Sequence, residues 1–447
     1  MLPTGSLTAI AIGVGLLIVT LLATTAGSRH RESPVGRVTG YLTVALAYLV
    51  AVFAEFTNAG MDLGGLALLA IAMLIPILAG VWGAAVFADA GSGSGAAARQ
   101  RLVVQGGLLA AFLLICVQLI VAGRVLSILG GVNPAVASVA LGVVVSLYVA
   151  GRGWRAASRT SRWTLFFVVL AGLVLLAGLF LGSLASLVDA ALPSQGYSLG
   201  HIGGVWIALA ALGAVDLVLI RSFAQARSSQ APRRAIGGGL LAVGTVVALG
   251  AGLLLFFGGS FYAPSEQLFT LFTTLGAAGL AVVCGLAAML LASTTDSYLA
   301  AAADCVADLT KASDHERVRG IAVAVLALLA VVVAAFAPPI SALLVAGALI
   351  SAAVIGAALV GSAAKDSLRV FAAMLGVLTG LVVAFIAGLA PTFAFGDWSW
   401  LAILLSAVAA YATVLLGKAF SDVSAEEVAS QADESSAATA TTTSDSV

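Results

Sequence analysis

The chain has 447 residues, of which 62% are hydrophobic and 9% charged, with 20 basic and 20 acidic side chains and zero formal net charge. Soluble domains carry about 25% charged residues, so in water this composition would expose apolar patches far larger than a monomer tolerates. A soluble enzyme, a nucleic-acid binder and a disordered chain are all disfavoured, and a polytopic all-α membrane protein remains.

A helix crossing a bilayer needs about 20 mostly apolar residues. That ruler predicts about 13 transmembrane helices, at 7–26, 38–58, 63–87, 103–123, 134–151, 163–187, 203–221, 236–258, 277–304, 320–337, 340–361, 370–390 and 398–417. No Lys or Arg precedes the first span, whereas Arg29, Arg31 and Arg37 follow it. This argues against a signal peptide and for an N-terminus outside. With that orientation, alternate loops hold Arg99 and Arg101, then Arg152, Arg155, Arg159 and Arg162, then Arg221, Arg227, Arg233 and Arg234. Lys311, Arg317 and Arg319, Lys365 and Arg369, and Lys418 complete the inner set, and Arg124 alone lies outside. Such alternation follows the positive-inside rule and predicts a multi-pass protein of the cell membrane with a cytoplasmic C-terminus.

Between spans, residues 89–98 (DAGSGSGAAA) read as a flexible inner loop, and 262–276 as a short outer interfacial helix. Residues 421–447 hold six carboxylates, no basic residue and no aromatic, and read as a disordered cytoplasmic tail. Cys116, Cys284 and Cys305 lie in apolar runs without metal-ligand spacing, and His30, His201 and His315 form no cluster. No cofactor is implied. No His-Glu-x-x-His, Gly-x-Ser-x-Gly or phosphate-cradling loop is present, so no catalytic residue is assigned and an enzyme is not expected.

Acids retained within a membrane are functional suspects. Here they are Glu55, Asp62, Asp216, Asp296 and Asp304. Glu55 and Asp62 lie close to the outer face, where they read equally as solvated interfacial acids. Asp216 sits about one and a half turns above the inner end of its span, within reach of a snorkelling arginine. In the ninth span, Ser293, Asp296 and Ser297 share one helical face, and Asp304 and Asp308 continue the stripe. Hydroxyls with one carboxylate suit a hard cation, and serine and threonine serve equally as interhelical glue.

The run STTDSYLAAAADCVADLTK (293–311) resembles the eighth core helix of the solute:sodium symporter family. Residues 117–154 resemble that family's third and fourth core helices, closest to the acetate and monocarboxylate permease branch. Gly60-Met61-Asp62, Phe87-Ala-Asp-Ala90 and 220–235 add landmarks in the same order. Where the family's sixth core helix carries a Pro-containing motif, this chain reads Ala214-Val-Asp216-Leu.

The resemblance implies a LeuT-type fold with an inverted five-helix repeat. Residues 1–36 then form an extra N-terminal helix and inner loop, 37–200 the first repeat, 201–365 the second, and 366–420 two additional helices. Five is odd, so a tandem repeat must emerge inverted in the membrane. Also implied is a sodium site between the first and eighth core helices, with Ser293 and Thr294 as ligands. Asp216, Asp296 and Ser297 are candidates for coupling or substrate binding, because a carboxylate without a fixed cation partner can carry a proton. The expected function is sodium- or proton-coupled symport of a small organic solute, a monocarboxylate such as acetate. The alternative is a diverged, transport-inactive member serving as a sensor or accessory subunit. Partners are the solute and the bilayer; the sequence leaves the oligomeric state open.

Overall fold

The computed structural model describes residues 63–88, 94–130, 132–153, 199–226, 276–310, 314–360, 364–387 and 398–443. It also describes residues 44, 46–48, 156, 157, 160, 161, 163, 164 and 395. The expected spans at 7–26 and 236–258, most of those at 38–58 and 163–187, the expected outer helix before Gly276, and Glu55 and Asp62 lie outside these residues.

Every regular element among the described residues is a helix. They are α1 (Leu63–Ala88), α2 (Ser94–Gly130), α3 (Pro134–Arg152), α4 (Leu199–Ala214) and α5 (Leu217–Ala226). After them come α6 (Gly276–Thr310), α7 (His315–Ala335), α8 (Ile340–Leu359), α9 (Asp366–Ile386) and α10 (Ser399–Thr443). Among the described residues, seven helical stretches are long and apolar enough to cross a membrane, one of them running from Gly200 to Arg221. The chain is a multi-pass membrane protein.

Local sequence sets several boundaries. Asn133 caps α3, its Oδ1 accepting from Ala135 N at 2.9 Å, with Pro134 in the first turn. Asp314 caps α7 by accepting from Arg317 N at 3.1 Å, and Glu316 follows in the first turn. Arg369, counted among the loop cations, is instead buried in α9. Its Nη1 donates to Ala357 O and Val360 O, both at 2.9 Å, and so satisfies carbonyls at the end of α8.

Two loop expectations are corrected. Helix α2 begins at Ser94, so the second half of the expected 89–98 loop is helical. The segment expected as a disordered tail continues α10 as helix through Thr443. An existing helix propagates without a new nucleation cost, and the alanines and glutamates of this stretch favour it. Composition shows only that the segment has little to bury.

The architecture is a buried inner group ringed by outer helices. Helix α2 packs on α6 and α8, α4 on α1 and α8, and α6 on α2, α3 and α7. Residues 291–303 of α6 are all buried. The outer helices α3, α7, α9 and α10 turn large apolar side chains outward, including Leu147, Leu328, Met374, Phe385 and Leu416. In water these faces would demand a partner; in hydrocarbon they are the expected lipid surface.

Candidate functional site

The seventh predicted span is not one helix. Helix α4 stops at Ala214, Val215 and Asp216 leave the helical path, and α5 starts at Leu217. The break is held on both sides. Asp216 N donates to Gly213 O at 3.1 Å, and Asp216 O accepts from Ile220 N at 2.9 Å. Asp216 Oδ1 accepts from Leu219 N at 3.0 Å, the bond of an N-capping aspartate. Its Oδ2 accepts from Tyr48 Oη at 2.9 Å and from Tyr298 Oη at 2.6 Å. The expected pairing of Asp216 with an arginine is thus corrected: two tyrosines and a backbone amide take its oxygens.

Carbonyls freed at the break meet glycines. A Cβ on Gly83 of α1 would collide with Ala214 O, and one on Gly107 of α2 with Val215 O. Small residues let helix backbones approach in this way. They bring α1 and α2 against the discontinuity.

Tyr48 comes from the first core helix of the resemblance and Tyr298 from α6. Asp216 therefore ties three elements together at 3% exposure. One turn before Tyr298, Thr294 Oγ1 donates to Gln118 Oε1 at 3.0 Å and also lies 3.0 Å from Leu291 O. Gln118 Nε2, from α2, donates to Ala47 O at 2.9 Å. One face of α6 is thus bonded to the first core helix, to α2 and to the break.

The other face carries Asp296, about 200° around the helix from Thr294. Asp296 Oδ2 accepts from Tyr148 Oη of α3 at 2.7 Å and from Thr160 Oγ1. Its Oδ1 accepts from Ser297 Oγ at 3.2 Å, and that hydroxyl lies 2.9 Å from Ser293 O. Asp296 is fully buried, and among the described residues no ion pair reaches it. Ser293 Oγ and Thr164 Oγ1, each one turn from a member of this cluster, are buried without a hydrogen-bond partner among the described residues.

Helical spacing thus placed Ser293, Asp296 and Ser297 together, as they are found. The structure separates Ser293 from Thr294: the first lies toward Asp296, and the second is engaged with Gln118. Sequence reasoning missed Tyr48, Tyr148, Thr160, Gln118 and Tyr298 as partners. Tyr48 and Asp216 are 168 residues apart and Tyr148 and Asp296 148 apart, and nothing local signals either contact.

Asp304 and Asp308, expected to extend the same stripe, form a separate ionic cluster near the end of α6. Asp304 lies 3.0 Å from Arg221 and 3.9 Å from Arg319, and Asp308 3.8 Å from both Arg221 and His315. These pairs join α5, α6 and α7. Cys116 and Cys305 are free thiols buried in the core.

No family model matches the chain, and no curated protein matches it. Among solved structures, it is similar to the substrate-bound outward-open state of a Na+-coupled sialic acid symporter, at 12% identity and a TM-score of 0.61, covering 93% of this chain and 98% of that one. A mutant of the manganese transporter of Eremococcus coleocola aligns at 16% identity and a TM-score of 0.46, over 89% of this chain and 86% of that one. The inward-facing conformation of Mhp1 aligns at 14% identity and a TM-score of 0.36, over 93% and 91%. At 12% identity the first likeness is one of fold. This chain shares the all-helical membrane fold of that symporter structure.

Proposed function

We propose that the chain is a secondary active transporter of the cell membrane, coupling a proton or sodium to a small organic solute by alternating access. The observation that carries this reading is the break at Val215–Asp216 inside a membrane-length stretch, bonded to both the first core helix and α6. Discontinuous transmembrane helices are where transporters bind solute and ion. The inverted five-helix repeat implied by the resemblance, with which the expected span order and outside N-terminus agree, supports the same reading.

The coupling ion acts on the Asp296 face of α6. A buried carboxylate among hydroxyls binds a proton directly, or a hard cation with Ser293 and Ser297 as further oxygens. The solute is a monocarboxylate such as acetate, the class implied by the resemblance to the permease branch. Asp216 already fills the N-terminus of α5 with its own carboxylate, so a carboxylate solute is held away from that helix end.

Uptake of labelled acetate and pyruvate into proteoliposomes, under an imposed sodium or pH gradient, tests the reading. Accumulation driven by one gradient is the expected result. If neither gradient drives either solute, symport of monocarboxylates fails and the accessory-subunit reading takes its place.

A further inference from the structure

The sodium site implied by the resemblance would use carbonyls of the first core helix and hydroxyls of the eighth. In this chain those two groups are already joined by a side chain. Gln118, fully buried on α2, donates from Nε2 to Ala47 O at 2.9 Å and accepts at Oε1 from Thr294 Oγ1 at 3.0 Å. The amide's orientation follows from its partners. A backbone carbonyl only accepts, so the NH2 must face Ala47; the remaining amide oxygen then faces the hydroxyl, which donates. Both ends have ordinary hydrogen-bond lengths.

We infer that Gln118 is a positioning residue that takes the place of a coupling cation between the first core helix and α6, so that this gap closes without sodium. A cation placed between Ala47 O and Thr294 Oγ1 would have to displace the amide from both partners. It would also leave a buried amide unpaired, which a low-dielectric interior penalises. The neutral bridge supplies what the ion would: a positive hydrogen toward the carbonyl and a fixed separation between the two helices. Thr294, Tyr298 and Asp216 then form one continuous seam along a face of α6, pinned at Gln118 and at the helix break.

Ser293 does not reopen the gap, because its hydroxyl belongs to the side of α6 that carries Asp296 and Ser297. Its backbone carbonyl accepts from Ser297 Oγ at 2.9 Å. In its consequence for coupling the inference rests on the transporter reading above, since it leaves the opposite face of α6 to bind the driving ion. In its structural content it stands alone.

The test uses thermal unfolding of the purified full-length protein in detergent, in sodium chloride and in choline chloride at equal concentration, with no solute. Wild type is expected to show no sodium-specific rise in Tm arising at Thr294. Gln118→Glu replaces the donor facing Ala47 O with an anionic oxygen, and a cation between the two relieves the repulsion; this variant is expected to gain a sodium-specific rise. A wild-type sodium-specific rise that Thr294→Val abolishes would overturn the inference, whether or not Gln118→Glu folds. So would a folded Gln118→Glu that ignores sodium at a pH high enough to keep its carboxyl ionised. A wild-type rise that survives Thr294→Val and disappears in Asp296→Asn supports it, because sodium then binds on the other face. Loss of all gradient-driven uptake would remove the transporter reading and leave these thermal results standing.

Discussion

The two faces of α6 hold their carboxylates differently. Toward the break, Asp216 accepts from a backbone amide and two tyrosines, and the neighbouring Gln118 amide is bonded at both ends. Toward α3, among the described residues Asp296 is met by the hydroxyls of Tyr148, Thr160 and Ser297 and by the Ser297 amide beside it, with two more hydroxyls nearby lacking partners. A backbone N–H can only donate, and the α5 N-terminus favours negative charge, so the Asp216 environment suits one fixed state. Hydroxyls donate or accept as needed. The hydroxyls around Asp296 can therefore reorient about it without rebuilding the helix ends, which is the basis for proposing it as the ion-coupling acid.

The largest expected effect breaks the first face. Asp216→Ala leaves Tyr48 Oη, Tyr298 Oη and Leu219 N with their shared acceptor gone. Summed over three bonds, at the lower values measured in membranes, this costs about 2–4 kcal/mol. The measurement is thermal unfolding in detergent, and a wild-type Tm would contradict the assignment of Asp216 as the fastener of the break.

A smaller stability effect sharpens the contrast. Tyr298→Phe and Tyr148→Phe each remove one bond to a carboxylate, for about 0.5–1.5 kcal/mol apiece. Tyr298→Phe is expected to lower Tm with little change in which gradient drives uptake. Tyr148→Phe is expected to alter the ion dependence of uptake. Equal effects on ion dependence from both would dissolve the distinction between the faces.

Asp308→Asn is expected to have the smallest effect. Asp308 is 63% exposed and pairs at 3.8 Å with Arg221 and with His315, so the change costs at most about 1 kcal/mol. Adding salt should shrink that difference further, and a salt-insensitive loss would place this ionic cluster inside the machinery.

Much of the scaffold could be read from the residues, and the break could not. The span expected at 134–151 is α3, Pro134–Arg152, because apolar length and the Asn133-Pro134 signal are both local. The pairing of Ser293, Asp296 and Ser297 on one face likewise follows from 3.6-residue periodicity alone. Val215 is apolar and Asp216 is a single charge in a long apolar run, so hydropathy reads 203–221 as continuous. What opens the helix there is held from afar, by Tyr48 and Tyr298 on Asp216 and by Gly83 and Gly107 under the freed carbonyls. Gln118 was equally hidden, since its partners lie 71 and 176 residues away.

The most direct test of separate roles for the two acids compares Asp296→Asn with Asp216→Asn in proteoliposomes. Both gradient-driven accumulation and solute counterflow of the monocarboxylate that wild type accumulates are measured. Asp296→Asn is predicted to keep a near-wild-type Tm and counterflow while losing accumulation under either gradient. Asp216→Asn is predicted to lose stability and both transport modes together. Undiminished gradient-driven accumulation by Asp296→Asn would contradict the assignment of ion coupling to that face of α6.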